Sequence, residues 1–99
     1  MMFMIIAKHT AEMCAGGIVR PDKEFVTKLD GSMKKSGVKV VEGYLDGPGH
    51  EWYFVVEAES NTALNNAVEP LRLIGDVKIV PVMKFSDAVV WAKKIGIQK

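Results

Sequence analysis

The sequence predicts an α+β domain, with one antiparallel sheet carrying helices on a single face. Three observations predict it. An apolar run opens the chain and another lies at DVKIVPVMKF, residues 76–85. Two alternating runs flank Gly47-Pro48-Gly49, and two stretches with apolar residues at helical spacing separate the strand-like segments. The 99 residues are 48% hydrophobic and 25% charged, a balance that suits one compact domain over residues 1–99. A chain of this size buries a core without metal or disulfide staples.

Met2 to Lys8 is short, rich in Ile and Met, and bounded by a polar loop, so it reads as a strand buried on both faces. From Asp22, after Pro21, the positions Phe25, Val26, Leu29 and Met33 recur at helical spacing. Ser36 and Gly37 suit the end of that helix, and Gly31 inside it weakens it by about 1 kcal/mol relative to alanine. VKVVEGYLD and EWYFVVEAE around Gly47-Pro48-Gly49 form a hairpin. Pairing Asp46 with Glu51 sets Leu45 against Trp52, Gly43 against Phe54 and Val41 against Val56 on a core face. The opposite face then holds Tyr44 against Tyr53, Glu42 against Val55 and Val40 against Glu57.

Ser60 or Asn61 caps a second helix with Ala63, Leu64, Ala67, Val68 and Leu71 on one stripe, which Pro70 should split near Asn66 by removing a backbone donor. In the fourth strand Pro81 cannot donate to a ladder, which favours a sheet edge. Ser86-Asp87 is expected to cap a last helix with Ala88, Val89, Ala92 and Ile95 on one face, and Lys93, Lys94 and Gly96 at its end. The order is that of a ferredoxin-like βαββαβ sandwich with a four-stranded antiparallel sheet and an extra C-terminal helix. Phe25, Leu29, Phe54, Val56, Leu64, Val68 and Ile79 are its expected core.

Two helices cover only one face of such a sheet, yet the other face keeps Val40, Tyr44, Tyr53 and Val55. A second copy packed sheet to sheet would cover it and enclose a cavity, so a homodimer through the sheet face is expected.

The strand YFVVEAES, Tyr53 to Ser60, and the run VPVMKFSDAV, Val80 to Val89, resemble those of the dimeric α/β-barrel group, ferredoxin-like proteins that pair their sheets. That group includes small cofactor-free monooxygenases and muconolactone-isomerase-type enzymes, as well as uncharacterised proteins of the same fold. HTAEMC, from His9 to Cys14, is similar to a His-x-x-Glu-x-Cys pattern seen in some of them, where proline often follows the cysteine. Ala15 stands there in this chain.

Because the third strand should lie between the first and second, the exit of the first strand meets the tip of the hairpin, and His9 and His50 share one rim. With Glu12 and Cys14 they offer the nitrogen, oxygen and sulfur donors that zinc, nickel or iron accept, zinc or nickel being the expected ions. The alternative is that His9 finishes a strand, His50 decorates a turn and Cys14 is a small hydrophobe. Cys14 as a nucleophile would need His9 or His50 as base. Gly16-Gly17 lacks the spacing of a phosphate loop and reads as a turn. On the sheet face Tyr44, Tyr53, Glu42 and Glu57 suit a small organic ligand, or else form the dimer contact itself.

Three functions stay open: a small-molecule or divalent-metal-binding protein, a monooxygenase or isomerase using Glu57 or His9 as base, and a ligand-binding regulatory module. Lys and Arg number 13 against 12 Asp and Glu, for a net charge of +1, and they are scattered, so no nucleic-acid partner is expected. The opening MMFMIIA lacks a basic lead and is too short for a bilayer, so neither a membrane partner nor a targeting segment is expected. Cys14 is the single cysteine, which excludes a disulfide scaffold and fits a cytoplasmic location.

Overall fold

The computed structural model describes residues 1–14 and 22–96. Gly16-Gly17 and Pro21 lie outside them. The elements are β1 (Met2–His9), α1 (Phe25–Lys35), β2 (Lys39–Asp46), β3 (Glu51–Glu57), α2 (Asn61–Ala67), α3 (Glu69–Arg72), β4 (Gly75–Pro81) and α4 (Phe85–Lys94). The four strands form one sheet in the order β2-β3-β1-β4 with every pairing antiparallel, the ferredoxin-like α+β arrangement. Pro81 closes β4 at the sheet edge, where a missing donor costs no ladder bond.

Helices cover one face. Phe3, Ile5 and Ala7 of β1 and Trp52 and Val56 of β3 meet Phe25, Leu29 and Met33 of α1, with Leu64, Ala67, Val68 and Leu71 beside them. Each of the large side chains buried there contributes about 1.5–3 kcal/mol. Phe54 and Ile79 are only partly buried against this core. Met2, Met4 and Ile6 point to the other face and are half-buried, so β1 is not covered on both faces as its continuous apolar run suggested.

The hairpin register agrees with the expectation from Asp46↔Glu51 to Glu42↔Val55. A bulge at Val41 then shifts it, so that Val40 opposes Val56 and Lys39 opposes Glu57. Val41 and Val40 therefore do not have the partners expected of them, because the extra residue exchanges the faces of what precedes it.

Helix termini follow local chemistry. The Asp22 carboxylate accepts from the Glu24 amide at 3.0 Å, an Asx turn that holds residues 22–24 outside the helix and starts α1 at Phe25. Gly37, at φ 74°, ends it by letting the Val38 amide reach the Met33 carbonyl at 2.9 Å. Ser60, not Asn61, caps α2, its hydroxyl accepting from the Ala63 amide at 3.2 Å. Pro70 has no amide hydrogen to offer Asn66, and the helical run breaks at Val68. The Ser32 hydroxyl takes up the freed carbonyls, at 3.0 Å from that of Ala67 and 3.4 Å from that of Asn66. In α4 the residue before the helix is Lys84, and Ser86 and Asp87 sit inside the first turn instead of capping it.

Among the described residues no helix is long and apolar enough to cross a membrane.

Candidate metal centre at the sheet rim

His9 is the last residue of β1, and the alternation that buries Phe3, Ile5 and Ala7 also turns its ring to the helix side, where it is 6% exposed. Gly75 opposes it at the start of β4. A Cβ at Gly75 would collide with the Lys8 carbonyl and the His9 Cα, so only glycine lets β4 begin this close to the histidine.

His50 arrives from the hairpin. The turn is fixed by the Asp46 carboxylate accepting from the Gly49 amide at 2.9 Å and by the His50 amide donating to the Gly47 carbonyl at 3.2 Å. His50 itself has φ 53°, the left-handed region that non-glycine residues enter at a cost. Its carbonyl accepts from the His9 amide at 3.1 Å, which ties the hairpin tip to the end of β1.

Cys14 is brought back by successive turns, the Met13 amide donating to the Thr10 carbonyl at 3.1 Å and the Cys14 amide to that of Ala11 at 3.4 Å. His9, Cys14 and His50 each then offer one donor atom, all within 4.8 Å of one another. Glu12 is exposed in the same turn and stands outside this cluster.

Two features suit the site to a cation. His9 Nε2 and His50 Nδ1 are both buried without a hydrogen-bond partner among the described residues, and such a buried polar atom is costly unless something engages it. His9 is held below the ordinary histidine pKa of 6.5, first by burial and then by His50 beside it, which keeps the ring neutral and its lone pair free. Trp52 packs edge-on against His9 at a centroid distance of 5.7 Å and His50 does so at 5.3 Å, fixing the ring's orientation. Trp52 is not among the site residues expected from the sequence. Its place directly after Glu51, the partner of Lys8 in the ladder, is the signal that could have found it.

The sheet-face residues gather less tightly. Tyr44 pairs with Tyr53 across the hairpin, and the Tyr44 hydroxyl donates to Glu42 at 3.2 Å. The Tyr53 hydroxyl instead donates to Glu51, a carboxylate not expected in this set. Glu57 opposes Lys39 at the far end of the strand, roughly 13 Å along it from Tyr53.

No curated protein matches the chain. Residues 1–96 match a family described as a domain of unknown function, DUF3303, and the chain belongs to that family.

Proposed function

We propose that the protein binds a divalent transition metal, zinc foremost, through His9, Cys14 and His50. The observation that carries this reading is the convergence of two imidazoles and a thiol within 4.8 Å, with the free histidine nitrogens buried. Tetrahedral zinc holds its ligands roughly 3.3–3.7 Å apart, so a modest rotation of the side chains closes the site. Imidazole and thiolate favour zinc, nickel or cobalt over magnesium or calcium. Three protein ligands leave a fourth position for water, a small molecule or Glu12, the expected oxygen donor.

Calorimetric titration with zinc, paired with cobalt absorption, tests the assignment. One equivalent should bind with a thiolate-to-cobalt band that Cys14→Ser removes. His9→Ala should abolish binding, and His50→Ala should weaken it. Absence of zinc, nickel and cobalt binding would reject the reading and move any chemistry to Tyr53 and Glu57.

A second reading concerns the sheet face. Met4, Ile6, Val55 and Val80 are half-buried on the side that no helix covers, and pairing with another copy, as in dimeric α/β barrels, would bury them. Sedimentation of the protein at micromolar concentration should give a dimer that Ile6→Glu dissociates.

A further inference from the structure

Helix α4 buries no side chain. Phe85, Ala88, Val89, Trp91, Ala92 and Ile95 nevertheless form a continuous apolar stripe along it, with Phe85 83% and Trp91 53% exposed. A stripe of this kind is built to meet a complementary surface. At the opposite edge of the sheet lies an unfilled one. The helix layer does not extend over β2, which is exposed along its whole length. Between α1 and that strand runs an apolar cleft of about 210 Å³, walled by Val26, Leu29, Met33, Leu45 and Phe54. Gly43 forms part of the lining, and a Cβ there would stand 3.0 Å from the Phe54 ring.

We infer that the α1–β2 cleft of one copy receives helix α4 of a second copy, the exchange being reciprocal. The cleft is smaller than the roughly 300–1,000 Å³ of small-molecule pockets, and suits the insertion of an aromatic side chain instead. The charges agree: Asp30 lies on the cleft wall, and the last turn of α4 carries Lys93 and Lys94.

Topology makes the contact intermolecular. Helix α4 leaves from β4 and the cleft adjoins β2, at opposite edges of one sheet. When two such sheets stack face to face about a twofold axis along the strands, the β4 edge of each copy lies over the β2 edge of the other. Each α4 then emerges at the outer edge of its partner's β2 and turns round that edge into the cleft, which opens on the partner's helix side, and reciprocal exchange closes the assembly at two copies. The seat rests on the sheet-face pairing proposed above.

The test is sedimentation of the full chain with Trp91→Glu, Leu45→Glu, their double variant and Ile6→Glu. Trp91 and Leu45 are 53% and 56% exposed within one copy, so circular dichroism of dilute samples should show both variants folded. Each should raise the dimer dissociation constant by about thirtyfold or more, and the double variant should be little worse than either, because both remove one contact. Acrylamide quenching of Trp91 should fall as protein concentration rises. A loss of dimer with Ile6→Glu but with neither Trp91→Glu nor Leu45→Glu would overturn the α4 seat and leave sheet pairing intact. Sensitivity to Trp91→Glu but not to Leu45→Glu would overturn the cleft as its destination. A wild-type monomer at all concentrations would overturn both the seat and the pairing.

Discussion

The amide of His9 donates to the carbonyl of His50 at 3.1 Å, and their rings meet edge-on at 5.3 Å. One backbone bond thus couples the end of β1 to the hairpin tip, and the imidazoles are neighbours because the main chain makes them so. His50 reaches this place at φ 53°, a conformation that glycine adopts freely. His50→Gly should therefore leave the metal-free fold as stable as before or raise its stability by up to about 1 kcal/mol, while zinc affinity falls. Urea midpoints with chelator, set beside calorimetry, check both halves. A clear loss of stability would show that the histidine ring supports the turn.

The lowered pKa of His9 carries a stability consequence of fixed sign. In the unfolded chain the ring titrates near its ordinary 6.5, whereas in the fold burial, and after it His50 alongside, resist the positive charge on His9. As pH falls below about 6.5 the unfolded state takes up this proton first and gains population. The contribution of His9 is complete above that pH and is lost as pH falls through the lowered folded value. With chelator present, the urea midpoint should decline from about pH 7 to pH 5, before the carboxylates titrate. His9→Gln should flatten that decline, and an equal slope in both proteins would contradict the argument.

The order of strands and helices was legible in the sequence because it rests on hydrophobic periodicity, which survives without knowledge of contacts. The adjacency of His9 and His50 was legible for a related reason: an antiparallel ladder between β1 and β3 necessarily sets the exit of one beside the entrance of the other. The bulge at Val41 was not legible. A run of Val38, Val40 and Val41 gives no sign of which residue is extra, and tertiary packing decides it. Nor was the open cleft beside β2, since it depends on how far α1 reaches across the sheet. The alternation in β2 reads as a covered core face, yet that strand is exposed throughout.

Tyr53 should ionise above the ordinary tyrosine value of 10.0. The first cause is its hydrogen bond to Glu51, followed by burial and by the negative charges of Glu51 and Asp46. Glu51→Gln should bring its titration down toward 10.0. In a Tyr44→Phe background only Tyr53 reports, because the chain has two tyrosines. Ultraviolet titration of tyrosinate reads the shift directly, and identical curves with Glu and Gln at position 51 would show that the hydrogen bond does not set it.

Ser32 compensates for Pro70. Its hydroxyl is the donor at the Ala67 and Asn66 carbonyls where the helix breaks, joining α1 to α2. Ser32→Ala should cost about 1 kcal/mol, the net worth of such a bond where the carbonyl is partly buried. Thr27, exposed on the same helix, provides the control: Thr27→Ala should stay within about 0.5 kcal/mol of the parent protein. Chemical denaturation of the two variants distinguishes a bond that bridges helices from a general effect of shortening side chains on α1.

Two glycines should respond to alanine with opposite signs. Gly31 lies within α1, and apart from its chain neighbours and the helix's own backbone nothing stands within 4 Å of where its Cβ would be, so Gly31→Ala should stabilise the protein by about 0.5–1 kcal/mol through helix propensity and chain entropy. Gly75 has the Lys8 carbonyl and the His9 Cα in the space of its missing Cβ, and backbone cannot swing aside as a flexible side chain does. Gly75→Ala must push β4 away from β1 at that pair, at a cost of about 1–3 kcal/mol. Because the displaced residue is His9, the same variant should also weaken zinc binding, although it removes no donor atom. Denaturation and zinc calorimetry on both variants check this. If Gly75→Ala binds zinc as the parent does while losing stability, the rim tolerates strand displacement and the position of His9 is set by the hairpin alone.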